Sequence, residues 1–411
     1  MEKITLRKFP YPFKAALAIC SDIDGTDTAE EFLAIQTFLN TNRLTSWGPG
    51  IGLEIGNSFM PLRANNRFAY FSRRPNDRAV IKKFIKAGYI DCIHSYGETA
   101  YTRQDVLQIL EALDHDGCKV KVWIDHATVP SNLGPDNSQG LGDVKGSPIY
   151  HADLSLSYGI QFAWMGRGTD LIGQEVPVTW KALARIFDPT YPRASIKNLS
   201  RQIGKILLAQ TGLNRVAIHR CNRLLQPTPL RDGNQIYEFI RCNNHWHKPR
   251  PSSIKLAYML RPQALEAFLA SGGYTILYTH FGFYESPELI SPQTQAALRH
   301  LAEEYRAGKI FITTTSRLLT YCLTHRYLNW DCSLSPHEGV HITIKQIDDP
   351  ITGPRLPVLE ELQGLTFYVP DRHKASLALG EKPVQMVKRN SKDHLGLESI
   401  TIPWITLTYP L

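Results

Sequence analysis

Ala15-Ala16-Leu17-Ala18-Ile19-Cys20-Ser21-Asp22-Ile23-Asp24-Gly25-Thr26 is the stretch on which the fold turns. An unbroken apolar run suits a strand covered on both faces, because a half-exposed strand alternates apolar with polar side chains. The run then gives way to small and acidic residues, so the strand carries two carboxylates at its C-terminal end. Similar short apolar runs lie at 89–93, 120–124, 160–164, 237–240, 275–278 and 310–313. Amphipathic helical patterns fall between them at 29–39, 77–87, 102–113, 262–270 and 292–307. The punctuation agrees. Thr102-Arg103-Gln104-Asp105 is spaced as a capping box, Ser291-Pro292 puts proline at a first helical position, and Gly88, Gly117, Gly272 and Gly308 close helices. Apolar strands alternating with helices predict a parallel sheet covered on its faces, as a barrel or as an open doubly wound sheet.

Past residue 336 the pattern changes to short β-type runs, His341-Ile342-Thr343-Ile344, Leu365-Thr366-Phe367-Tyr368-Val369 and Ile400-Thr401-Ile402-Pro403-Trp404. Residues 1–335 are therefore expected to form an α/β domain, and residues 336–411 a small all-β module packed on it. With 411 residues, 43% of them hydrophobic, the chain can bury a large core. No stretch approaches the roughly 20 apolar residues of a membrane-spanning helix. The N-terminal residues lack the apolar segment of a secretory signal. The seven cysteines are scattered, without a C-x-x-C pair. A cytoplasmic protein without disulfides is expected.

The formal net charge of +8 is unevenly placed. Arg193, Lys197, Arg201, Lys205, Arg215, Arg220, Arg223 and Arg231 occur with no acid between them. This basic insert, near 193–231, is either a solvated helix face with a loop or a surface for anionic lipid headgroups, a phosphate on a lipid carrier, or an acidic glycan. Nucleic acid is disfavoured, since no zinc-finger spacing or RNA-binding aromatic signature accompanies the charge.

Position singles out the candidate site. Asp22 and Asp24 follow the first strand, His94 and Glu98 a later one, Asp125 and His126 the next, and His280 one near the end of the α/β region. Parallel β/α folds assemble active sites at that edge. Asp and His suit a hydrolytic divalent metal, which binds three nitrogen or oxygen ligands and keeps a position for water. Asp22 and Asp24, two apart on an extended chain, point the same way, so one can bind metal while the other takes a proton. His280 can protonate a leaving group. Each has a plainer reading: a turn for Asp24-Gly25, a loop cap for His94, a buried structural role for His126, and a helix-start acid for Glu98.

These residues carry a resemblance. Ser21-Asp22-Ile23-Asp24-Gly25-Thr26 resembles the first motif of the polysaccharide deacetylases, the family of nodulation-factor and chitin deacetylases. His94-Ser95-Tyr96-Gly97-Glu98 resembles the second, and Leu277-Tyr278-Thr279-His280 the last. Gly308 to Thr313 followed by a helix is similar to the family's closing unit. The resemblance runs from residue 11 to about 325. It implies a distorted parallel (β/α) barrel of about seven strands, a Zn2+ ion, and hydrolysis of an N- or O-acetyl group on a sugar. It also implies Asp24 and His94 as ligands, Asp22 as base and His280 as acid. The chain departs from the family in three places. Ile23 separates the aspartates, which leaves their roles exchangeable. Glu98 stands where a second histidine is usual, and Trp123-Ile124-Asp125-His126 replaces an arginine-proline run. Glu98 and His126 compete as third ligand, with His126 favoured because imidazole suits zinc.

Asp125, Trp123, Trp164, Arg167 and Arg241 are candidates for substrate binding. Tyr96 and Phe281 could join the two tryptophans in a wall for sugar rings; His151, Asp153 and Arg220 are further polar candidates. The expected function is a carbohydrate deacetylase on a sugar or lipid-linked glycan in surface-polysaccharide metabolism, cytoplasmic or peripheral to an anionic membrane. A glycoside hydrolase would instead need Asp22 paired with Asp125 or Asp170 across a glycosidic bond. A barrel that only binds or scaffolds glycan would need neither an acid nor a base.

Overall fold

The apolar run near the start forms a strand, β1 (Ala15–Asp22), in which every residue is buried. The computed structural model describes residues 4–136, 138–189, 191–242, 253–282, 289–335 and 339–411. Around β1 stand β2 (Gly56–Phe59), β3 (Ile90–His94), β4 (Val122–Ile124), β5 (Phe162–Trp164), β6 (Gln235–Phe239), β7 (Tyr274–Thr279) and β8 (Ile310–Thr313). They pair in parallel in the order β6-β5-β4-β3-β2-β1-β7. One edge of β1 is shared, β8 taking Ala15 to Ala18 and β2 taking Cys20 to Asp22. Just past β6, Arg241–Cys242 pairs in parallel with both Gly168–Thr169 and β7. The sheet thus curls back on itself, a mixed α/β architecture with a barrel-like sheet of mostly parallel strands.

The helices lie where the apolar periodicity puts them: Ala29–Asn40, Pro75–Lys86, Arg103–His115, Pro262–Ser271 and Pro292–Arg306. Thr102 and Asp105 form the expected reciprocal cap, and Ser291 caps the helix that begins at Pro292. Several elements escaped the sequence reading, strand β2 for a physical reason. Strand β2 reads Gly-Asn-Ser-Phe, with one large apolar residue. Its buried Asn57 is satisfied by a two-way amide pair with Gln36 (3.0 and 2.9 Å) and by the Tyr89 carbonyl, so polarity is tolerated inside the sheet. The basic insert holds a long helix, Pro192–Gln210, and ends in a strand, Leu225–Pro229, that pairs antiparallel with β6.

The β-rich region begins earlier than residue 336. Helix Thr315–Tyr327 runs directly into strand Leu328–Ser335, which pairs with Gly339–Asp349. A second small sheet contains Thr366–Tyr368 and recruits Thr5–Arg7 from the other end of the chain. One apolar core joins these sheets to the barrel: Ala16, Val122, Phe162 and Ile276 belong to the same packed cluster as Ile342, Leu365, Phe367 and Ile400.

Two imidazoles are locked into this framework. His151 meets the Ser131 carbonyl at 2.6 Å and the Ser155 hydroxyl at 2.9 Å, and His325 meets the Arg7 carbonyl at 3.1 Å. Burial pushes each pKa down to about 4. His151 is therefore a structural group. Below the ordinary histidine pKa of about 6.5 the unfolded chain takes up these protons and the folded chain resists them. Their stabilising effect is full above that pH and fades as the pH falls toward 4. The urea midpoint is expected to drop steeply between pH 6.5 and 4.5, and His325→Gln to flatten that drop. A midpoint independent of pH across this range would contradict the assignment.

Candidate functional site

Four strand ends bring the predicted polar residues together. β1 ends at Asp22, and a 3-10 turn, Ile23–Gly25, follows immediately. The chain there is turned rather than extended, which corrects the geometric reason for expecting the two aspartates side by side. They nonetheless act on one another electrostatically. His94 closes β3, and Ser95 follows it in the left-handed region with φ 53°, its N–H donating to the Ile124 carbonyl at 2.8 Å. His126 lies two residues past β4, with its ring edge-on to that of His94 at 4.9 Å between centroids. Just past β7, His280 places its Nε2 3.1 Å from Asp24 Oδ1, while His126 Nε2 is 3.9 Å from Asp24 Oδ2.

Asp22 is the deepest of these groups. Its side chain meets Arg241, at 3.2 Å from NH1 to Oδ2 and 3.3 Å from NH2 to Oδ1, and accepts a 2.7 Å hydrogen bond from the Ser58 hydroxyl. Burial alone would raise its pKa. The Arg241 guanidinium, helped by His94, His280 and Ser58, overcomes that and holds the carboxyl well below the usual range. Arg241 itself has no solvent exposure and lies against both Trp164 and Tyr278, 4.7 and 4.8 Å from their ring centroids. It is therefore the partner of Asp22, not an open substrate contact.

The imidazoles divide into two kinds. Burial pushes His94 down to about 4 and lowers His126 as well, so both are neutral at pH 7. For His280 burial works in the same direction, but the carboxylate of Asp24 outweighs it and the pKa is raised. In Asp24, burial is likewise outweighed, chiefly by His280, and the carboxyl is lowered. The cluster thus contains two ionised carboxylates, two neutral imidazoles and one imidazole that holds its proton longer than usual.

Other candidates are placed elsewhere or otherwise engaged. Glu98 pairs with Arg63 at 3.3 Å and accepts from the Ala64 N–H at 3.1 Å; Arg63 also donates to the Asp24 and Thr26 carbonyls. Glu98 thus braces the loop around Asp24, and its carboxylate also acts on the ring of His126. Asp125 accepts from Trp123 Nε1 (2.7 Å), the Leu133 N–H (2.9 Å) and the Gly134 N–H (2.8 Å). A Cβ on Gly134 would stand 2.6 Å from Asp125 Oδ2, so glycine is what allows that approach. Asp125 is buried and both its oxygens serve the loop, so it is a structural carboxylate rather than a substrate contact.

Trp123, Tyr96 and Phe281 are buried and cannot form a sugar-binding wall. Asp153 pairs with Arg103 at 2.6 Å, and Arg220 donates to the Ala209 carbonyl. Trp164 and Arg167 line a pocket of about 740 Å³ beside Arg241 and Tyr278, although Arg167 is also paired with Asp136 and Glu238. Sequence reasoning missed Ser58, Arg63 and Tyr278. Ser58 sits on the strand that lacks an apolar pattern, and Arg63 on a loop with no motif. Tyr278, inside the last-motif run, reads as an ordinary strand residue.

The donor types suit a divalent cation, and the Nδ1 atoms of His94 and His126 are buried without hydrogen-bond partners. The spacing is looser than a finished coordination shell. Two ligands of a tetrahedral zinc stand roughly 3.3 Å apart, against 3.9 Å for Asp24 Oδ2 and His126 Nε2. Among the described residues no three His, Cys, Asp or Glu side chains form a preassembled metal group.

No protein-family model matches the chain, and no curated protein matches it. Among solved structures it is similar to a 4-alpha-glucanotransferase from Thermococcus litoralis, with a TM-score of 0.35 and 10% identity, over 74% of this chain. The chain spans 40% of that protein's length. A likeness at this level carries no functional argument.

The Arg241–Asp22 pair is directly testable. Removing one partner of a buried ion pair leaves an uncompensated charge and costs about 3–5 kcal/mol. Arg241→Met is expected to lose that much in urea unfolding, and Arg241→Met with Asp22→Asn to lose clearly less than the two single losses combined. A stable Arg241→Met protein would mean that Asp22 is not held as an ion.

Proposed function

We propose that the chain is a hydrolase that removes an acetyl group from a sugar or glycan, in the manner of the polysaccharide deacetylases. One observation carries the reading: Asp22, Asp24, His94, His126 and His280, from four strand ends, interact electrostatically as one cluster, with His280 and His126 Nε2 at 3.1 and 3.9 Å from Asp24. Parallel β/α sheets place their chemistry at that edge. The fit to the expected barrel of about seven strands is part of the same proposal.

Asp24, through the Oδ2 that faces His126, together with His94 and His126, would hold the metal, with zinc the best match to those donors. When bound, such an ion polarises the acyl carbonyl and makes a nearby water more acidic. The chain's own residues supply the proton transfers. Asp22, ionised and oriented by Arg241 and Ser58, accepts a proton from the attacking water. His280, which holds its proton beside Asp24, donates to the departing amine or alcohol oxygen. The position of Asp24 beside His126 supports Asp24 as ligand and Asp22 as base, the order that the family resemblance implies. The pairing of Glu98 with Arg63 supports His126 as the third donor.

A glycosidase mechanism is disfavoured by the same contacts. It needs a second carboxylate beside Asp22, yet Asp125 is committed to its loop and Asp170 is paired with Arg201 at 2.6 Å.

The test combines metal analysis with acetate release from acetylated oligosaccharides. Purified protein is expected to retain one divalent ion that Asp24→Ala and His94→Ala lose. Asp22→Asn is expected to retain the ion and release no acetate, while His280→Gln loses roughly 100-fold or more in turnover. Full metal content in both ligand variants, or normal turnover in Asp22→Asn, would overturn the assignment.

A further inference from the structure

We infer that the segment around helix Pro192–Gln210 is a docking surface for an anionic lipid bilayer. Three independent features meet there. The first is charge: residues 180–223 hold nine Lys and Arg against a single acid, Asp188, so this stretch equals the formal net charge of the whole chain, +8. The second is exposed apolar surface. Seven of the eighteen exposed large hydrophobic side chains among the described residues fall between 180 and 213, with Trp180 81%, Ile196 60% and Leu207 63% exposed. Scattered exposed leucines are ordinary; concentration in one segment marks an interaction site.

The third feature is orientation. Arg193, Ile196, Lys197, Ser200, Leu207 and Leu208 recur at helical spacing and are all exposed, so they form one outer face. On the opposite side Ser195, Asn198 and Gln202 are buried. The helix therefore holds polar side chains inward and presents isoleucine and leucines outward between basic residues. It is fixed to the body through Leu199, Ile203 and Ile206, which pack on a small cluster around Leu171, Leu183 and Ile186.

That combination selects the occupant. Apolar side chains flanked by Lys and Arg suit the boundary between headgroups and acyl chains, where each basic residue near an anionic leaflet adds about 1 kcal/mol. A second copy of this face would bring like charges together. A nucleic acid would use the charge and leave the aliphatic side chains unmatched. Among the described residues no helix is long and apolar enough to cross a membrane, so the contact is peripheral.

The surface borders a pocket on the far side of the Arg241 that holds Asp22. Arg201, Lys205 and Leu208 of this helix line the pocket of about 740 Å³ whose other wall is Trp164, Tyr278 and Arg241. Docking would bring a bilayer-anchored glycan to the pocket beside Asp22, a consequence that rests on the proposed hydrolase reading, whereas the docking itself does not.

The experiment is co-sedimentation of the full-length protein with vesicles of phosphatidylcholine, with and without phosphatidylglycerol, across a salt series. Binding is expected to the acidic vesicles and to weaken as salt rises. Replacing Lys181, Arg193 and Lys197 with glutamine is expected to lower partitioning roughly 100-fold. Ile196→Ser with Leu207→Ser is expected to abolish the part of the binding that persists at high salt. Absence of wild-type binding to acidic vesicles at low salt overturns the proposal, as does equal binding to both vesicle types. If single-stranded RNA is bound and acidic vesicles are not, the surface belongs to nucleic acid. If Ile196→Ser with Leu207→Ser instead dissociates a dimer, it belongs to a second copy. Should a variant fail to fold, the salt series on the wild type decides. Loss of acetate release with vesicle binding intact would sink only the hydrolase reading.

Discussion

A guanidinium without solvent contact holds the carboxylate at the end of β1, and the order of the site depends on that pair. Arg241 reaches Asp22 across β7, which lies between their strands in the sheet. Two neighbouring aromatic rings pack against the guanidinium, and its charge lets Asp22 stay ionised in a setting that would otherwise protonate it. The negative charge at Asp22 and Asp24 then favours the proton on His280. His94 and His126 feel the same carboxylates, yet burial dominates and leaves them neutral. The allocation of protons follows from one buried cation and from which ring meets Asp24 most closely, His280 at 3.1 Å.

Much of the fold was legible because burial dictates composition. Strands covered on both faces must be nearly all apolar, and β1, β3, β7 and β8 announced themselves that way. Helix ends were legible where a side chain closes the first turn, as with Thr102 and Ser291. Strand β2 was not, since its buried asparagine is satisfied by Gln36 and the Tyr89 carbonyl, 21 and 32 residues away, and no local pattern encodes such pairings. The same distance problem hid the start of the β-rich region at Leu328, whose partner strand confers its structure.

The site was legible to the depth that chain position allows. Strand ends deliver Asp22, Asp24, His94, His126 and His280 to one edge, and topology alone predicts that. What those residues touch is set by side chains from elsewhere. Glu98 occupies a motif position but is claimed by Arg63, and Asp125 is claimed by the loop at Leu133 and Gly134. Asp22 is held by Arg241, which comes from a different strand and which no local pattern ties to Asp22.

The strand Thr5–Arg7 finds its partner at Thr366–Tyr368, and Arg7 is further gripped by Asp393 at 3.1 Å. Glu54, next to the barrel, likewise receives the Leu407 N–H at 2.6 Å. During synthesis the chain emerges from its N-terminus, and domains generally fold as units. Here Thr5–Arg7 must wait until Thr366–Tyr368 and Asp393 have been made before its backbone and charges are satisfied. The nascent polypeptide therefore carries an unclosed seam while the intervening residues are synthesised, and chaperones can act on it throughout that window.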